Sequence, residues 1–140
     1  MELTQIRLIV SDFAGVFEFY RDVIGLRPQS DRASPPYAAF KPELGATLAM
    51  HERSALAGVL GDQLRVAAGR GPDAALVCLR VDDLADYLAQ VTARGGQLVT
   101  GPLDQGDRLR AAYLRDPEGN LIELQQWLAT RSGRPVPSAG

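Results

Sequence analysis

The chain contains two copies of one pattern, separated by a constant offset of 71 positions, as from Val10 to Val81. Each copy begins with a short apolar strand, continues with an aspartate suited to cap a helix, and then shows an amphipathic helical stripe that ends at glycine. The equivalent pairs are Val10/Val81, Asp12/Asp83, Ala14/Ala85, Phe17/Leu88 and Gly25/Gly96. A strand, a cap, a stripe and a stop that recur at one offset indicate an internal duplication.

Each copy continues with three short strands bounded by turn residues. These strands are predicted at 27–30, 37–41 and 46–51 in the first copy, and at 97–100, 108–115 and 120–127 in the second. The repeated unit is therefore βαβββ. Alternation places Ile6, Leu8 and Val10 on the face that carries the helix, so the opposite face, with Gln5 and Arg7, is expected to line a concavity.

The predicted organisation is one domain over residues 1–130. Module one spans about 3–51, a linker spans 52–71, and module two spans about 73–127. A short helix is predicted around Ser54–Leu60 in the linker. Residues 131–140, which are rich in proline and small side chains, are predicted to form a flexible tail.

One carboxylate occurs within an apolar strand near the end of the second copy. In the segment Asp116–Leu124, a run of turn-forming residues is followed by a strand. In this strand Glu123 shares a face with Leu121, Gln125 and Trp127. An unpaired buried charge is costly, so Glu123 requires a partner. It could bind a metal, pair with a cation, or face a wet pocket.

Composition limits the class of protein. A chain of 140 residues with 46% apolar and 23% charged residues is typical of a soluble globular domain. The net charge of −2 argues against a nucleic-acid partner, and no apolar run approaches the roughly 20 residues of a membrane span. The N-terminus lacks the basic start of a signal peptide. Cys78, the single cysteine, is predicted to be a buried thiol in a reducing environment, so we expect a cytoplasmic protein.

Four segments carry a resemblance to a known family. They are 5–12, 19–26, 81–84 and 116–124, and together they extend over nearly the whole chain. The sequence resembles the vicinal oxygen chelate superfamily, which includes glyoxalase I, bleomycin-resistance proteins and extradiol dioxygenases. The resemblance implies an α+β fold in which two tandem βαβββ modules form a curved, partly open sheet around a concave pocket.

The resemblance also implies four positions for the ligands of a divalent metal. They fall on Gln5, Ala49, Leu76 and Glu123, of which Ala49 and Leu76 have no ligand atom. His51, two residues beyond Ala49 on the same strand face, could supply a third ligand only after distortion of the strand. Two missing donors leave a weak site, so whether the protein is an enzyme stays open.

The predicted ligand pocket combines directional polar groups with flat aromatic rings, a mixture that suits a small molecule. Its candidate residues are Gln5, Arg7, His51, Arg80, Tyr113, Glu123, Gln125 and Trp127. Structural alternatives remain for several of them. Arg7 and Arg80 could simply pair with Glu123, Trp127 could pack at a rim or a dimer contact, and His51 could be an ordinary histidine at a strand end.

The first functional hypothesis is a metal-independent protein of the bleomycin-resistance type that binds a drug or metabolite without a cofactor. The alternative is a metal-dependent glyoxalase-like lyase or isomerase, or a dioxygenase, holding one divalent metal through Gln5, Glu123 and His51. A third is an interaction module. The resemblance implies a homodimer in every case, and the long linker permits modules to pair within a chain or by exchange.

Overall fold

The computed structural model describes residues 1, 3–30, 32–41, 46–65 and 73–139. The chain divides into two compact units, Met1–Pro72 and Asp73–Gly140. Each unit contains a mixed sheet and a helix that follows its first strand, so the α+β class and the βαβββ repeat predicted from the sequence are confirmed.

The first unit has a three-stranded sheet in the order β1-β3-β2. Its strands are β1 (Gln5–Val10), β2 (Tyr37–Phe40) and β3 (Thr47–Glu52), with β1 parallel and β2 antiparallel to β3. Helix α1 (Phe13–Glu18) continues as a π-helix over Phe19–Ile24. Helix α2 (Arg53–Leu60) follows β3 and ends in a 3₁₀ turn, Gly61–Gln63. The helix predicted in the linker is confirmed; residues 66–72 of the linker lie outside the described residues.

The second unit has a four-stranded sheet in the order β4-β7-β6-β5. The strands are β4 (Leu76–Val81), β5 (Leu98–Gln105), β6 (Leu109–Arg115) and β7 (Leu121–Trp127), and helix α3 spans Leu84–Ala93. Strand β4 runs parallel to β7, whereas the other pairs are antiparallel. The two units therefore share the parallel pairing of their first and last strands.

Helices α1 and α3 each begin at the aspartate that the sequence predicted as their cap. The side chain of Asp12 accepts a hydrogen bond from the backbone N–H of Gly15 at 3.1 Å, and that of Asp83 accepts one from Asp86 at 3.0 Å. Each carboxylate satisfies an N–H that the helix itself leaves unpaired. The offset of 71 thus joins residues with the same structural role.

The predicted pairing of Gly25 with Gly96 is wrong by one residue. Gly25 has φ +88°, but the left-handed residue after α3 is Gly95, with φ +94°. The π-helix explains the shift, because its wider winding accommodates one more residue before the stop. The backbone N–H of Gly25 bonds to the carbonyl of Tyr20, five residues earlier, at 3.1 Å.

Two predicted strands differ from those observed. Segment 27–30 forms only an isolated bridge between Pro28 and Phe40, since proline has no N–H to extend a ladder. Strand β5, predicted to end at Thr100, continues to Gln105. The pairing register shifts between Leu98 and Thr100 and again between Thr100 and Leu103, so Pro102 lies in a bulge, where its missing donor costs no ladder bond.

Each core lies between a sheet and its helix. Tyr20, predicted as a core residue, is fully buried, and its ring packs at 5.9 Å from Phe40 between ring centroids. In the second unit Leu84 and Val91 of α3 are buried, as are Leu114, Ile122 and Leu124 of the sheet. Ile6, expected on the covered face, is 58% exposed. None of the helices in the described part of the chain has the length and apolar character of a membrane span.

Candidate functional site

The sheet of the first unit carries a polar face on the side opposite α1. Strand register aligns Arg7 with Ala49 and His51 with Tyr37, and alternation brings Gln5 to the same side. The hydroxyl of Tyr37 donates to Oε1 of Gln5 at 2.9 Å, and the guanidinium of Arg7 lies 4.9 Å from the centre of the Tyr37 ring. We call Gln5, Arg7, Tyr37 and His51 the first polar face.

Arg7 fixes the protonation pattern of His51. Nη1 of Arg7 lies 3.1 Å from Nδ1 of His51. A guanidinium can only donate, so Nδ1 must be the acceptor, and the neutral ring then carries its proton on Nε2. Neither ring nitrogen retains a free lone pair in this arrangement. His51 therefore acts as an acceptor for Arg7.

The sheet of the second unit carries the remaining predicted site residues. Strand register aligns Glu123 with Tyr113 on one side and with Cys78 on the other, and Gln125 and Trp127 follow on the same face of β7. Arg80 shares this face from β4. We call Arg80, Tyr113, Glu123, Gln125 and Trp127 the second polar face.

Glu123 is buried, with 7% exposure, and its hydrogen-bonding partners are neutral. Its carboxylate accepts hydrogen bonds from the amide of Gln125 and from the hydroxyl of Tyr113. The Tyr113 oxygen in turn accepts one from Nε2 of Gln105 at 2.6 Å. The carboxylate is thus held in a polar network, which answers the need for partners that the sequence raised.

This network changes the acidity of two neighbours. The hydrogen bond to the Glu123 carboxylate raises the pKa of Tyr113, because the phenol must stay protonated to donate it. Partial loss of water around the thiol, and secondly the charge of Glu123, raise the pKa of Cys78. The prediction of a buried cysteine is wrong, since Cys78 is exposed: the strand face that carries it also carries the polar network. A raised pKa argues against a nucleophilic thiolate.

Arg80 contacts an aromatic ring and the end of the chain. Its guanidinium lies 4.4 Å from the centre of the Trp127 ring. Nη1 donates to the carbonyl oxygen of Pro137 at 2.8 Å, and Nη2 donates to that of Ser138 at 2.9 Å. The alternative in which Arg80 serves only to pair with Glu123 therefore does not describe its contacts.

The strand register tests where metal ligands could lie. Ala49 pairs with Arg7 and Glu123 pairs with Cys78, and Cys78 follows Arg7 by the repeat offset of 71. Ala49 and Glu123 are thus equivalent, as predicted, and only one of them has a donor atom. Gln5 already accepts from Tyr37, and His51 accepts from Arg7. Within the described residues, no three His, Cys, Asp or Glu side chains form a metal-binding group. Taken by itself, neither unit brings together three of the predicted donors, so neither unit alone offers a divalent cation its usual ligand set.

Sequence reasoning missed three participants. Tyr37 alternates with Ala39 on β2, and this period of two could have placed it beside His51. Gln105 was assigned to a loop because the bulge in β5 was not foreseen. The contact of Pro137 and Ser138 with Arg80 had no signal in the sequence, since it joins residues 57 and 58 positions apart.

A family model described as the Glyoxalase/Bleomycin resistance protein/Dioxygenase superfamily matches residues 2–124. The chain belongs to this superfamily. The resemblance drawn from the four sequence segments is thereby confirmed.

Known relatives agree at the level of the family. The chain is 31% identical over 130 residues to the uncharacterized protein YraH of Bacillus subtilis, covering 91% of this chain and 100% of that protein. It is 29% identical over 139 residues to a lactoylglutathione lyase of Haemophilus influenzae, covering 95% and 98%.

Solved structures agree at the level of the fold. A glyoxalase/bleomycin resistance protein/dioxygenase from Nocardioides has a TM-score of 0.72 at 22% identity, covering 98% of this chain and 89% of that one. A family enzyme from Burkholderia phytofirmans has a TM-score of 0.75 at 18% identity, covering 91% and 100%.

Proposed function

We propose that this member of the superfamily is a metal-independent protein that binds a small molecule, a drug or a metabolite, in the manner of the bleomycin-resistance branch. The observation that carries the proposal is the shortage of donors in the first unit. The position equivalent to Glu123 is Ala49, which has no ligand atom, and Nδ1 of His51 accepts the hydrogen bond from Arg7.

Charge supports the same proposal. Arg7 stands opposite Ala49, next to one of the positions where a metal ligand would be expected. A guanidinium repels a divalent cation and offers no lone pair to it. The same group recognises carbonyl, carboxylate or phosphate oxygens of an organic ligand.

The aromatic residues supply contact area. Tyr37 lies beneath Arg7, and Trp127, which is 42% exposed, lies beneath Arg80. A ring that holds an arginine in place reduces the entropy lost when the arginine binds a ligand. Both polar faces therefore pair a preorganised cation with an exposed or half-buried ring.

A metal-dependent lyase or isomerase is the second candidate, and one observation favours it. The Haemophilus influenzae relative, at 29% identity over nearly the full length, is a lactoylglutathione lyase. Gln5 and Glu123 are the donors that such an activity would use here. Each keeps a further lone pair beside the hydrogen bond that it accepts from Tyr37 or Gln125.

Native mass spectrometry of freshly purified protein, combined with elemental analysis, tests both candidates. We expect less than about 0.1 metal ion per chain and a melting temperature unchanged by EDTA. About one nickel, zinc, iron or manganese ion per chain would favour the enzyme, provided that Glu123→Ala loses the metal. Asp104→Ala, which removes an exposed carboxylate that pairs with Arg110 on the same sheet, is the matched control and should retain it.

A homodimer and a cytoplasmic location are parts of the same proposal. The dimer is supported by the family and by exposed apolar side chains such as Ile6 and Leu76. The location is supported by the single cysteine. The mass spectrum reports the number of subunits directly, and a monomer at micromolar concentration would contradict the dimer.

A further inference from the structure

The end of the chain lies on the second polar face and is held there by four hydrogen bonds. Two run from Arg80 to the carbonyl oxygens of Pro137 and Ser138. The other two run to Asp82, whose carboxylate accepts from the hydroxyl of Ser138 at 2.9 Å and from the N–H of Ala139 at 2.7 Å. Each of Pro137, Ser138 and Ala139 takes part in at least one of these hydrogen bonds.

Arg80 and Asp82 offer complementary hydrogen-bonding groups. Arg80 presents two donors in a fixed fork, and Asp82, two residues further along the chain, presents two acceptors. The N–H of Ala139 and the hydroxyl of Ser138 hold the pKa of Asp82 below its usual range, because both stabilise its charged form. We call Arg80, Asp82 and Trp127 the clamp.

Trp127 supports the arginine of the clamp. The guanidinium of Arg80 lies 4.4 Å from the centre of the Trp127 ring. Ala139 also forms part of the wall of a cavity of about 270 Å³, which Arg80, Asp82 and Tyr87 line as well. The segment therefore borders a concave part of the surface beside the clamp.

We propose that Pro137–Ala139 is a built-in competitor, which occupies the clamp and must leave before a ligand with the same pattern of groups can bind there. The inference rests on the proposed function, because it concerns access to the same second polar face. The displacing ligand carries two neighbouring carbonyl or carboxylate oxygens beside an N–H or O–H donor. The oxygens replace those of Pro137 and Ser138 at Arg80, and the donor replaces that of Ala139 at Asp82.

A tethered competitor lowers the apparent affinity without touching the ligand. If the segment occupies the clamp nine-tenths of the time, the apparent Kd rises about tenfold. A carboxylate ligand gains against it, because its negative charge attracts the guanidinium and its two oxygens match the fork of Arg80. The acidic residues beside the clamp favour ligands whose remaining groups are neutral or cationic.

Trp127 makes the competition measurable, since it is the only tryptophan in the chain. Its fluorescence and its single indole N–H signal in NMR spectra report directly on the stacking of Arg80. The variant to compare with the full chain ends at Pro135, which preserves the hydrogen bond from Thr130 to the carbonyl of Arg134. The probe is the acetylated peptide of residues 136–140, Val-Pro-Ser-Ala-Gly.

We expect the truncated chain to shift its Trp127 signals and to bind the peptide, returning the signals to those of the full chain. The full chain should need at least about tenfold more peptide for the same shift, because its own segment is present at an effective concentration near millimolar. A peptide methylated on the alanine nitrogen, which cannot donate to Asp82, should bind the truncated chain at least about fivefold more weakly.

Substitutions separate the clamp from general effects. Arg80→Lys keeps the charge but loses the fork, so it should weaken peptide binding to the truncated chain about tenfold. Arg110→Lys, which alters an exposed pair with Asp104 on the same sheet, should leave it unchanged. Asp82→Ala should shift the Trp127 signals of the full chain toward those of the truncated chain.

Equal peptide binding by the two chains would overturn the proposal, as would absence of binding to the truncated chain or an Arg80→Lys variant that binds normally. These results are independent of the metal analysis. If the protein carries about one metal ion per chain and its own segment still competes with the peptide, the proposed function is wrong and the proposal about the clamp stands. If the protein is metal-free and the segment does not compete, only the proposal about the clamp is wrong.

Discussion

Nη1 of Arg7 lies 3.1 Å from Nδ1 of His51, and this contact determines which nitrogen of the only histidine carries the proton. A guanidinium donates and never accepts, so Nδ1 accepts and the neutral ring is protonated at Nε2. Long-range ¹H–¹⁵N spectra at pH 8 should show a single tautomer of this kind. In Arg7→Ala the donor is absent, and the spectrum should move toward a mixture of the two tautomers.

Arg21→Ala is the control for this measurement, because Arg21 pairs with Asp22 and makes no contact with His51 among those described. It should leave the histidine spectrum unchanged. A wild-type ring protonated at Nδ1 would disprove the contact, and with it one support for a metal-independent first polar face.

The network around Glu123 predicts a dependence on alkaline pH. The pKa of Tyr113 is raised from the ordinary 10.0, chiefly by its hydrogen bond to Glu123. The folded state therefore holds this proton more tightly than the unfolded state does. The stabilisation is complete below pH 10 and is lost as the pH rises from 10 through the pKa of the folded state.

Replacement of Glu123 by glutamine removes the charge that favours the protonated phenol. We expect the pKa of Tyr113 to fall toward 10, as measured by absorbance at alkaline pH with Tyr113→Phe subtracted to isolate this tyrosine. Tyr87 serves as the internal control. Burial raises its pKa to about 12, and this pKa should be the same in both proteins. An unchanged pKa for Tyr113 in Glu123→Gln would contradict the hydrogen bond.

The equivalent caps of α1 and α3 predict equivalent losses of stability. Asp12→Ala and Asp83→Ala each remove an acceptor from a helix N-terminus, which should lower the free energy of unfolding by about 1 kcal/mol. Urea unfolding measures both. Asp22→Ala, which breaks only a surface pair with Arg21, should cost less than about 0.5 kcal/mol.

The sequence predicted those features that depend on local chemistry and on the repeat. Asp12 and Asp83 cap helices because a carboxylate at that position satisfies free N–H groups, a rule that needs no knowledge of the tertiary structure. The placement of Ala49 and Glu123 at equivalent positions came instead from the resemblance to the superfamily, and the strand register agrees with it. The caps therefore follow from local rules, whereas the ligand positions needed knowledge of related proteins.

The features that escaped prediction depend on geometry between distant residues or on an irregular backbone. The π-helix adds one residue before Gly25, so the equivalent left-handed glycine of the second unit is Gly95 and not Gly96, and no residue type predicts such winding. The strand predicted at 97–100 continues through a bulge to Gln105, and alternation in the sequence cannot show such a bulge. The contact of Arg80 with Pro137 requires the whole second unit to be in place. Composition described residues 131–140 correctly as rich in small residues and proline, but it carried no information about what they touch.

The bulge in β5 supplies the last prediction. Gly101 has φ +108°, and a Cβ atom built there would lie 2.8 Å from the carbonyl oxygen of Ala111 and 2.8 Å from Cα of Ala112. Both neighbours are backbone atoms of the adjacent strand, so neither can rotate away. Gly101→Ala should therefore lower the free energy of unfolding by about 2–4 kcal/mol, through the strained dihedral and the steric conflict together.

Gly106→Ala is the matched control, because Gly106 also has positive φ, +65°, but a Cβ there would meet nothing within 4 Å. It should cost only about 1 kcal/mol, the price of the left-handed conformation alone. Chemical denaturation of both variants separates the two contributions. Equal losses would mean that the close approach of β5 to β6 at Gly101 is relieved by movement of the bulge, whereas a larger loss at Gly101 identifies that approach as the reason for glycine at this position.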